Sequence, residues 1–291
     1  MSTVIFYPQT GDKELCRLYG DDGDREMIMR EIDGWYGTPE SRTEATPRKW
    51  GDGDHDVGEA DIAYGARTVS VSYRLLAGDR GRLEQLRGML GALTHRLVRL
   101  RVVDPPEDTY QVGEVLQVLP DKAPQNMAAQ TDTGLITVLC RRPERLSWRS
   151  MDVQLFPVSS ASGGLSYGGK GLGLVYPLSY GADAGSPQSV ALLRNAGSAM
   201  AYPVITVTGP MPDGVLLVGS DGRALQWSGS VGMVPLVLDC RTQTASMGGV
   251  DVSRLLASRG FPAVPAMGSL SVQLMSPGSG WATVSVRDTY L

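Results

Sequence analysis

Few residues in this chain are of the types that do chemistry, and their spacing argues against most of it. The 291 residues include two histidines, His55 and His95, and three cysteines, Cys16, Cys140 and Cys240. The cysteines are odd in number and far apart, so they spell neither a CxxC metal knuckle nor a disulfide framework. Cys140 and Cys240 each close an apolar run, LITVLC and VPLVLDC, which suits small buried core residues. Gly164-Leu165-Ser166-Tyr167-Gly168 matches the G-x-S-x-G nucleophile elbow in letters. An elbow needs a buried strand before it and a helix after it, with the triad histidine later in the chain. Here both flanks are Ser/Gly-rich and both histidines come earlier, so a hydrolase acting through Ser166 is not expected. The same segment offers Gly164, Gly169 and Lys170 as a phosphate loop, but Gly171 stands where the Mg²⁺-reaching Ser or Thr belongs.

Two acidic stretches raise the question of calcium. Asp21-Asp22-Gly23-Asp24 reads as a solvated turn. Asp52, Asp54 and Asp56 imitate the first, third and fifth ligands of an EF-hand loop. Val57 then replaces the obligatory glycine and Ala63 the bidentate glutamate. His95 falls just past a helix, where a cation suits the helix dipole. No metal, no cofactor and no catalytic set is expected, because no acid, base and nucleophile converge. The reading is of a protein that is not an enzyme.

The bulk composition narrows the remaining classes. A net charge of −4 with scattered arginines lacks the Lys/Arg stripe of nucleic-acid recognition. No run approaches the ~20 apolar residues of a membrane span, and the start of the chain lacks a signal-peptide pattern. Membrane insertion is therefore not expected, and synthesis in a cytoplasm is. The 36 Gly and 18 Pro point to many turns, and the length suits two domains.

The elements that would position any site are mostly strands. Glu14–Tyr19 and Glu26–Ile32 suggest a hairpin around the acidic turn. Residues 34–65 are polar, long for a loop, and so of a kind that orders on a partner. Ala66–Leu76 alternates, with Val69, Val71, Tyr73 and Leu75 on one face. Asp79 is placed to cap one helix carrying Leu83, Leu86, Leu90 and Leu93 on a single stripe. Strands follow at Leu97–Val103, Tyr110–Leu119 and Leu135–Arg141. Arg141-Arg142-Pro143-Glu144-Arg145 interrupts the pattern and marks a boundary. Residues 1–150 are thus expected to form an antiparallel β-rich α+β domain with one helix. Beyond Val153–Val158 and the Ser/Gly-rich 159–173, strands are expected at Leu172–Tyr176 and Val190–Asn195. More follow through 203–246, a short helical piece at Val252–Ser258, and strands at Ser269–Met275 and Thr283–Val286. That density of short strands between Gly/Pro turns predicts a β-sandwich over residues 151–291.

Spread over this pattern is a likeness to a known family. It rests on Asn195-Ala196-Gly197, on Tyr202-Pro203-Val204-Ile205-Thr206-Val207-Thr208-Gly209-Pro210 and on Gly222-Arg223-Ala224-Leu225. It continues at Leu236-Val237-Leu238-Asp239-Cys240-Arg241-Thr242, Leu274-Met275-Ser276-Pro277-Gly278 and Arg287-Asp288-Thr289-Tyr290-Leu291. Gly34-Trp35-Tyr36-Gly37 and Ala66-Arg67-Thr68-Val69 add to it less specifically. With these residues the chain resembles the distal tail protein (Dit), or minor tail protein, family of long, non-contractile-tailed bacteriophages. It departs from the family pattern at Ser279-Gly280, where an Asn is usual, and at Cys240, where Thr or Ser is common.

The resemblance implies a ring-forming N-terminal domain, commonly in a hexamer, and a galectin-like C-terminal sandwich. It implies a virion structural protein at the distal end of the tail. Its partners would be itself, the tail tube protein, tail-tip hub or fibre proteins, and the tape measure protein. It brings no catalytic residues. Trp35, Tyr36 and Trp50 are candidate interface anchors, since aromatics dominate interface energetics; capping the domain's own core is the alternative for each. A carbohydrate-binding sandwich is the rival function, with Tyr176, Tyr180, Trp227 or Trp281 as the sugar platform and core packing as the other role for these rings.

Overall fold

The computed structural model describes residues 2–21, 23, 25–58, 61–121, 130–157 and 189–291. The chain divides into two compact units, Met1–Arg149 with Tyr290–Leu291, and Ser150–Thr289. The described residues are mainly strand, with a single α-helix.

The first unit runs β1 (Thr3–Pro8), β2 (Cys16–Tyr19), β3 (Met27–Asp33), β4 (Arg67–Leu76), α1 (Arg80–Gly91), β5 (Leu97–Asp104), β6 (Glu107–Pro120), β7 (Thr131–Cys140) and β8 (Arg145–Ser147). Its strands lie in the order β6-β5-β1-β2-β3-β4-β7, and β7 returns to pair with β6, so seven strands close into a barrel. Closure depends on β6. Its first half pairs with β5 and its second half with β7, with a register shift between Val115 and Gln117. A bulge of this kind bends a strand and increases its twist, which lets one strand change partner along its length. Past the end of β7, β8 takes up the same edge of β6, with Tyr110 opposite Leu146.

The alternation of β4 is realised residue by residue. Val69, Val71, Tyr73 and Leu75 point into the core, while the intervening positions are half-buried or exposed. The cap at Asp79 also forms, its Oδ1 accepting from the Arg82 backbone N–H at 2.8 Å. Leu83, Leu86, Leu90 and Leu93 join the barrel's core cluster. This burial offsets Gly88 and Gly91, each of which weakens a helix by about 1 kcal/mol relative to alanine.

The expected hairpin over 14–32 does not form. β2 pairs instead with β1, antiparallel, and β3 meets β2 in parallel at Tyr19 and Ile28. The partner β1 has Val4, Ile5, Phe6 and Tyr7 all buried. It occupies one edge of β2 and leaves the other edge to β3.

The second unit comprises β9 (Met151–Leu155), β10 (Val190–Asn195), β11 (Val204–Thr208), β12 (Val215–Gly219), β13 (Ala224–Trp227), β14 (Leu236–Asp239), β15 (Thr244–Met247), β16 (Val250–Asp251), β17 (Leu256–Arg259), β18 (Gly268–Leu274) and β19 (Trp281–Val286). They form a five-stranded sheet, β10-β18-β12-β13-β17, and a six-stranded sheet, β16-β15-β14-β11-β19-β9. Alternate residues from both sheets, such as Leu217 and Val272 from one and Ile205 and Val284 from the other, share one core. The expected helix at Val252–Ser258 reduces to a 3-10 turn at Ser253–Leu255, and Leu256–Arg259 pairs with β13 as a strand. A single turn satisfies too few backbone groups to outcompete an available sheet edge. The final strand, β20 (Thr289–Tyr290), stands next to β8 in the order of the first sheet. The strand expected at Leu172–Tyr176 lies outside the described residues.

Candidate interaction surface

Between β3 and β4 the chain makes a long excursion, the arm. From Tyr36 to Ala66 no described residue is buried. The arm runs out and back as a narrow ribbon. Gly65 N–H donates to Glu40 O and Arg42 N–H to Ala63 O near its root, both at 2.8 Å. Further out, His55 N–H donates to Thr46 O at 2.9 Å and Arg48 N–H to Gly53 O at 3.2 Å. The ribbon reverses around Gly51, whose φ of 96° favours a residue without Cβ. Two strands with no packed face are marginal alone in water.

The three candidate anchors separate along this excursion. Trp35 is 1% exposed and sits in the barrel core, so its side chain offers no surface to a neighbour. Tyr36, 47% exposed, stands at the arm's root. Its hydroxyl donates to Asp104 Oδ2 at 2.7 Å, and the Arg145 guanidinium lies 5.6 Å from its ring centre. Partial burial, reinforced by the Asp104 carboxylate, pushes the Tyr36 hydroxyl up to about 12. The same bond, with a second from the Ser2 hydroxyl, holds Asp104 below the usual carboxylate range. Trp50, 85% exposed, is at the tip.

A residue not singled out in the sequence holds the root. Arg67, 3% exposed, donates through Nη1 to Gly34 O and Trp35 O at 2.8 Å each and to Gly37 O. Its Nε donates to Pro143 O at 3.0 Å, which also accepts from Gln111 Nε2 at 2.8 Å. One guanidinium thus ties the start of the arm to the β7–β8 connection. Burial lowers its pKa, and the nearby Arg145 charge adds to that. Among the described residues no carboxylate bonds to it, and its Nη2 is buried without a partner. The sequence signal was parity. Arg67 falls on the same side of β4 as Val69 and Val71, and a charge on a buried face demands partners.

The second unit has its own polar hub at the start of the family-like run. Asn195, 2% exposed, donates to Ala199 O at 2.7 Å and Pro265 O at 3.1 Å, with Val264 O further off at 3.4 Å. Its Oδ1 accepts from Gly197 N–H at 3.0 Å and Thr289 N–H at 3.2 Å. Asp288 Oδ1 takes the Ala196 N–H at 2.7 Å. A Cβ on Gly197 would lie 2.0 Å from Thr289 O, so only glycine fits there. Asn195-Ala196-Gly197 and Asp288-Thr289 therefore form one latch.

Of the rings considered for sugar, Trp227 is buried in the second core, with Nε1 donating to Val252 O at 3.3 Å. Trp281 is partly exposed at the start of β19. Tyr176, Tyr180 and Ser166 lie outside the described residues. Among the described residues no group of three or more His, Cys, Asp or Glu is placed to hold a metal ion. In the tip, Asp56 instead pairs with Arg48 at 2.8 Å. All three cysteines are buried and free; burial pushes Cys16 and Cys140 up to about 12 and raises Cys240 further. No described helix is long and apolar enough to cross a membrane.

The fold that carries these features is a barrel with one helix, followed by two antiparallel sheets on a shared core. No family model matches the chain, and no curated protein sequence does. Solved structures do match it end to end. The crystal structure of the Dit protein (gp 19.1) of phage SPP1, a paradigm of the hub adsorption apparatus of phages infecting Gram-positive hosts, is similar with a TM-score of 0.61. Identity is 12%, over 100% of both chains. A chain of the phage P2 baseplate in its activated conformation with Ca gives 0.51 at 8% identity, over 98% of each chain. The p2 baseplate with Sr gives 0.52 at 8%, again over 98% of each. At these identities the likeness is one of fold.

Proposed function

We propose that this chain is a structural component of a bacteriophage tail tip: a distal tail protein whose first unit assembles into a ring, commonly of six copies, between the tail tube and the tip. The carrying observation is that both units, in order and over the full length, match the Dit protein of SPP1. The reading makes residues 1–150 the ring-forming domain and residues 151–291 a galectin-like sandwich. It places the protein in the virion at the distal end of the tail, in contact with its own copies, the tube protein and hub or fibre proteins, with the tape measure protein as a further neighbour. It is a binding role without chemistry, in keeping with the failed motifs. The arm supports it too, because an exposed ribbon with an outward tryptophan suits an assembly contact, with Tyr36 at its base and Trp50 at its tip.

Immunogold labelling of phage particles with antibody to this chain, beside mass measurement and negative-stain imaging of the purified protein, tests the reading. Label at the distal tail end and closed rings are expected. Particles that carry no label at the tail tip would overturn it. For the sugar-binding alternative, the burial of Trp227 removes one platform, and no described feature favours it.

A further inference from the structure

The arm is long, acidic on its return side and without a packed face, while the barrel bears a groove of complementary character. The groove, about 490 Å³, crosses the outer face of β3, β4 and β7 and is lined by Arg30, Ser72, Arg74, Thr133 and Leu135 among others. Arg30 projects from the register irregularity in β3 between Met29 and Glu31, as bulges tend to re-aim a side chain. Neither the Arg30 nor the Arg74 guanidinium has a hydrogen-bond or ion-pair partner among the described residues. Two carboxylates border the groove: Asp121, already bonded by the Thr133 hydroxyl, and Glu31, opposite Ser72 in register. Leu135 lies beside Leu119 of β6, a large apolar residue left 49% exposed. The groove therefore offers two guanidiniums, unpaired among the described residues, next to an apolar shelf.

The arm presents the converse. Trp50 is at its tip, and Asp52, Asp54, Asp56 and Asp61 follow on the return side, of which Asp56 alone has an ion pair among the described residues. The groove lining includes no arm residue, so the arm does not fill the groove of its own chain. An ordered ribbon that buries nothing leaves the entropy of its ordering without compensation. A surface that receives Trp50 on leucine and Asp52 or Asp54 on arginine would supply it. We propose that the tip of the arm docks in the Arg30/Arg74 groove of a second copy of this chain, with the indole over Leu119 and Leu135 and the aspartates paired with the guanidiniums. This rests on the self-assembly reading above and deepens it by naming the two halves of the contact. Guanidinium–carboxylate pairs and a tryptophan anchor are the chemistry such a contact favours.

Disulfide trapping in the full chain tests it. Because Cys16, Cys140 and Cys240 are buried, one variant carries Asp54→Cys and another Ser72→Cys, and the two are mixed under mild oxidation. The expected result is a mixed disulfide dimer well above that of a control pair, Asp54→Cys with Arg254→Cys. Trp50→Ala added to the first partner lowers the yield roughly tenfold or more, the scale of losing one interface anchor. Arg30→Glu/Arg74→Glu added to the second also lowers it, and so does high salt, which screens exposed pairs. A yield no greater than the control overturns the proposal. So does an intrachain disulfide in dilute Asp54→Cys/Ser72→Cys protein, since the arm would then reach its own groove. Mass measurement on the unmodified chain separates the two ideas. Rings that persist in Arg30→Glu/Arg74→Glu protein sink the docking and leave self-assembly standing; an unmodified chain that does not self-associate, together with no cross-link above control in the cysteine pair, sinks both.

Discussion

Each unit has one buried polar side chain that gathers several backbone segments, and the two differ in a way that bears on stability. Asn195 is neutral, and both its oxygen and its nitrogen are used. Arg67 makes four such contacts against five for Asn195, is charged and, among the described residues, has no carboxylate partner and no acceptor for its buried Nη2. Desolvating an ion costs several kcal/mol even when its hydrogen bonds are good, whereas a satisfied amide carries no such charge penalty. The latch in the second unit should therefore be the stronger fastening, and the clamp in the first closer to break-even. Arg67 fits a hub whose task is to fix one direction for the arm's departure rather than to add stability.

Urea unfolding followed through the tryptophans of each unit, Trp35, Trp50 and Trp148 in the first and Trp227 and Trp281 in the second, is the measurement that would break or sharpen this contrast. Gly197→Ala should have the largest effect, a loss of about 4 kcal/mol or failure to fold, because its Cβ would meet Thr289 backbone atoms from 2.0 to 2.6 Å. Asn195→Ala should remove about 3 kcal/mol by orphaning the Gly197 and Thr289 N–H groups and the Ala199 carbonyl at once. Arg67→Met should remove only about 1–2 kcal/mol, the lost carbonyl bonds being partly offset by relief of ion desolvation. If Arg67→Met proves the more damaging of these two, the contrast is wrong.

Smaller effects are expected at the arm. Tyr36→Phe should remove about 1 kcal/mol at neutral pH and also change the alkaline limb of stability. A tyrosine raised to about 12 in the folded state, above its unfolded value near 10, favours folding fully below that unfolded value. Its contribution is lost as pH rises through the folded one, so the wild type should lose stability across that window and the Phe variant should lose less. Asp104 works on the acid side. Its lowered pKa stabilises the fold above the unfolded carboxylate value and ceases to do so as pH falls through the folded one. Trp50→Ala should leave stability within about 0.5 kcal/mol of wild type, which separates a tip residue from core residues of the same type.

Much of the fold was legible wherever one face of an element is buried and the other is wet. β4 and α1 carry that signature plainly. Barrel closure was not legible, because it depends on β6 bending to serve two partners at Val115–Gln117, and no alternation pattern encodes a change of partner. Nor was the β1–β2 pairing, since β1 is apolar on both faces and shows no period. At the candidate surface, Trp35 and Trp50 look alike in sequence, each beside glycine in a polar stretch. Only the three-dimensional path places one in the core and the other at the tip. Arg67 and Asn195 act through segments far along the chain, and their partners are backbone carbonyls and amides, which no side-chain motif announces.

The closure of the first sheet has one further consequence. A protein that must stand shoulder to shoulder with its own copies is exposed to uncontrolled strand addition, because any open sheet edge is a template for the next chain. In the barrel, each of the seven strands has neighbours on both sides, which removes most of that template from the unit proposed to form the ring. What remains for recognition is side chains and excursions, which are specific where backbone edges are indiscriminate. Copy number and register would then be set by a few residues of the arm and its seat, and the assembly would be guarded against growing into a fibre.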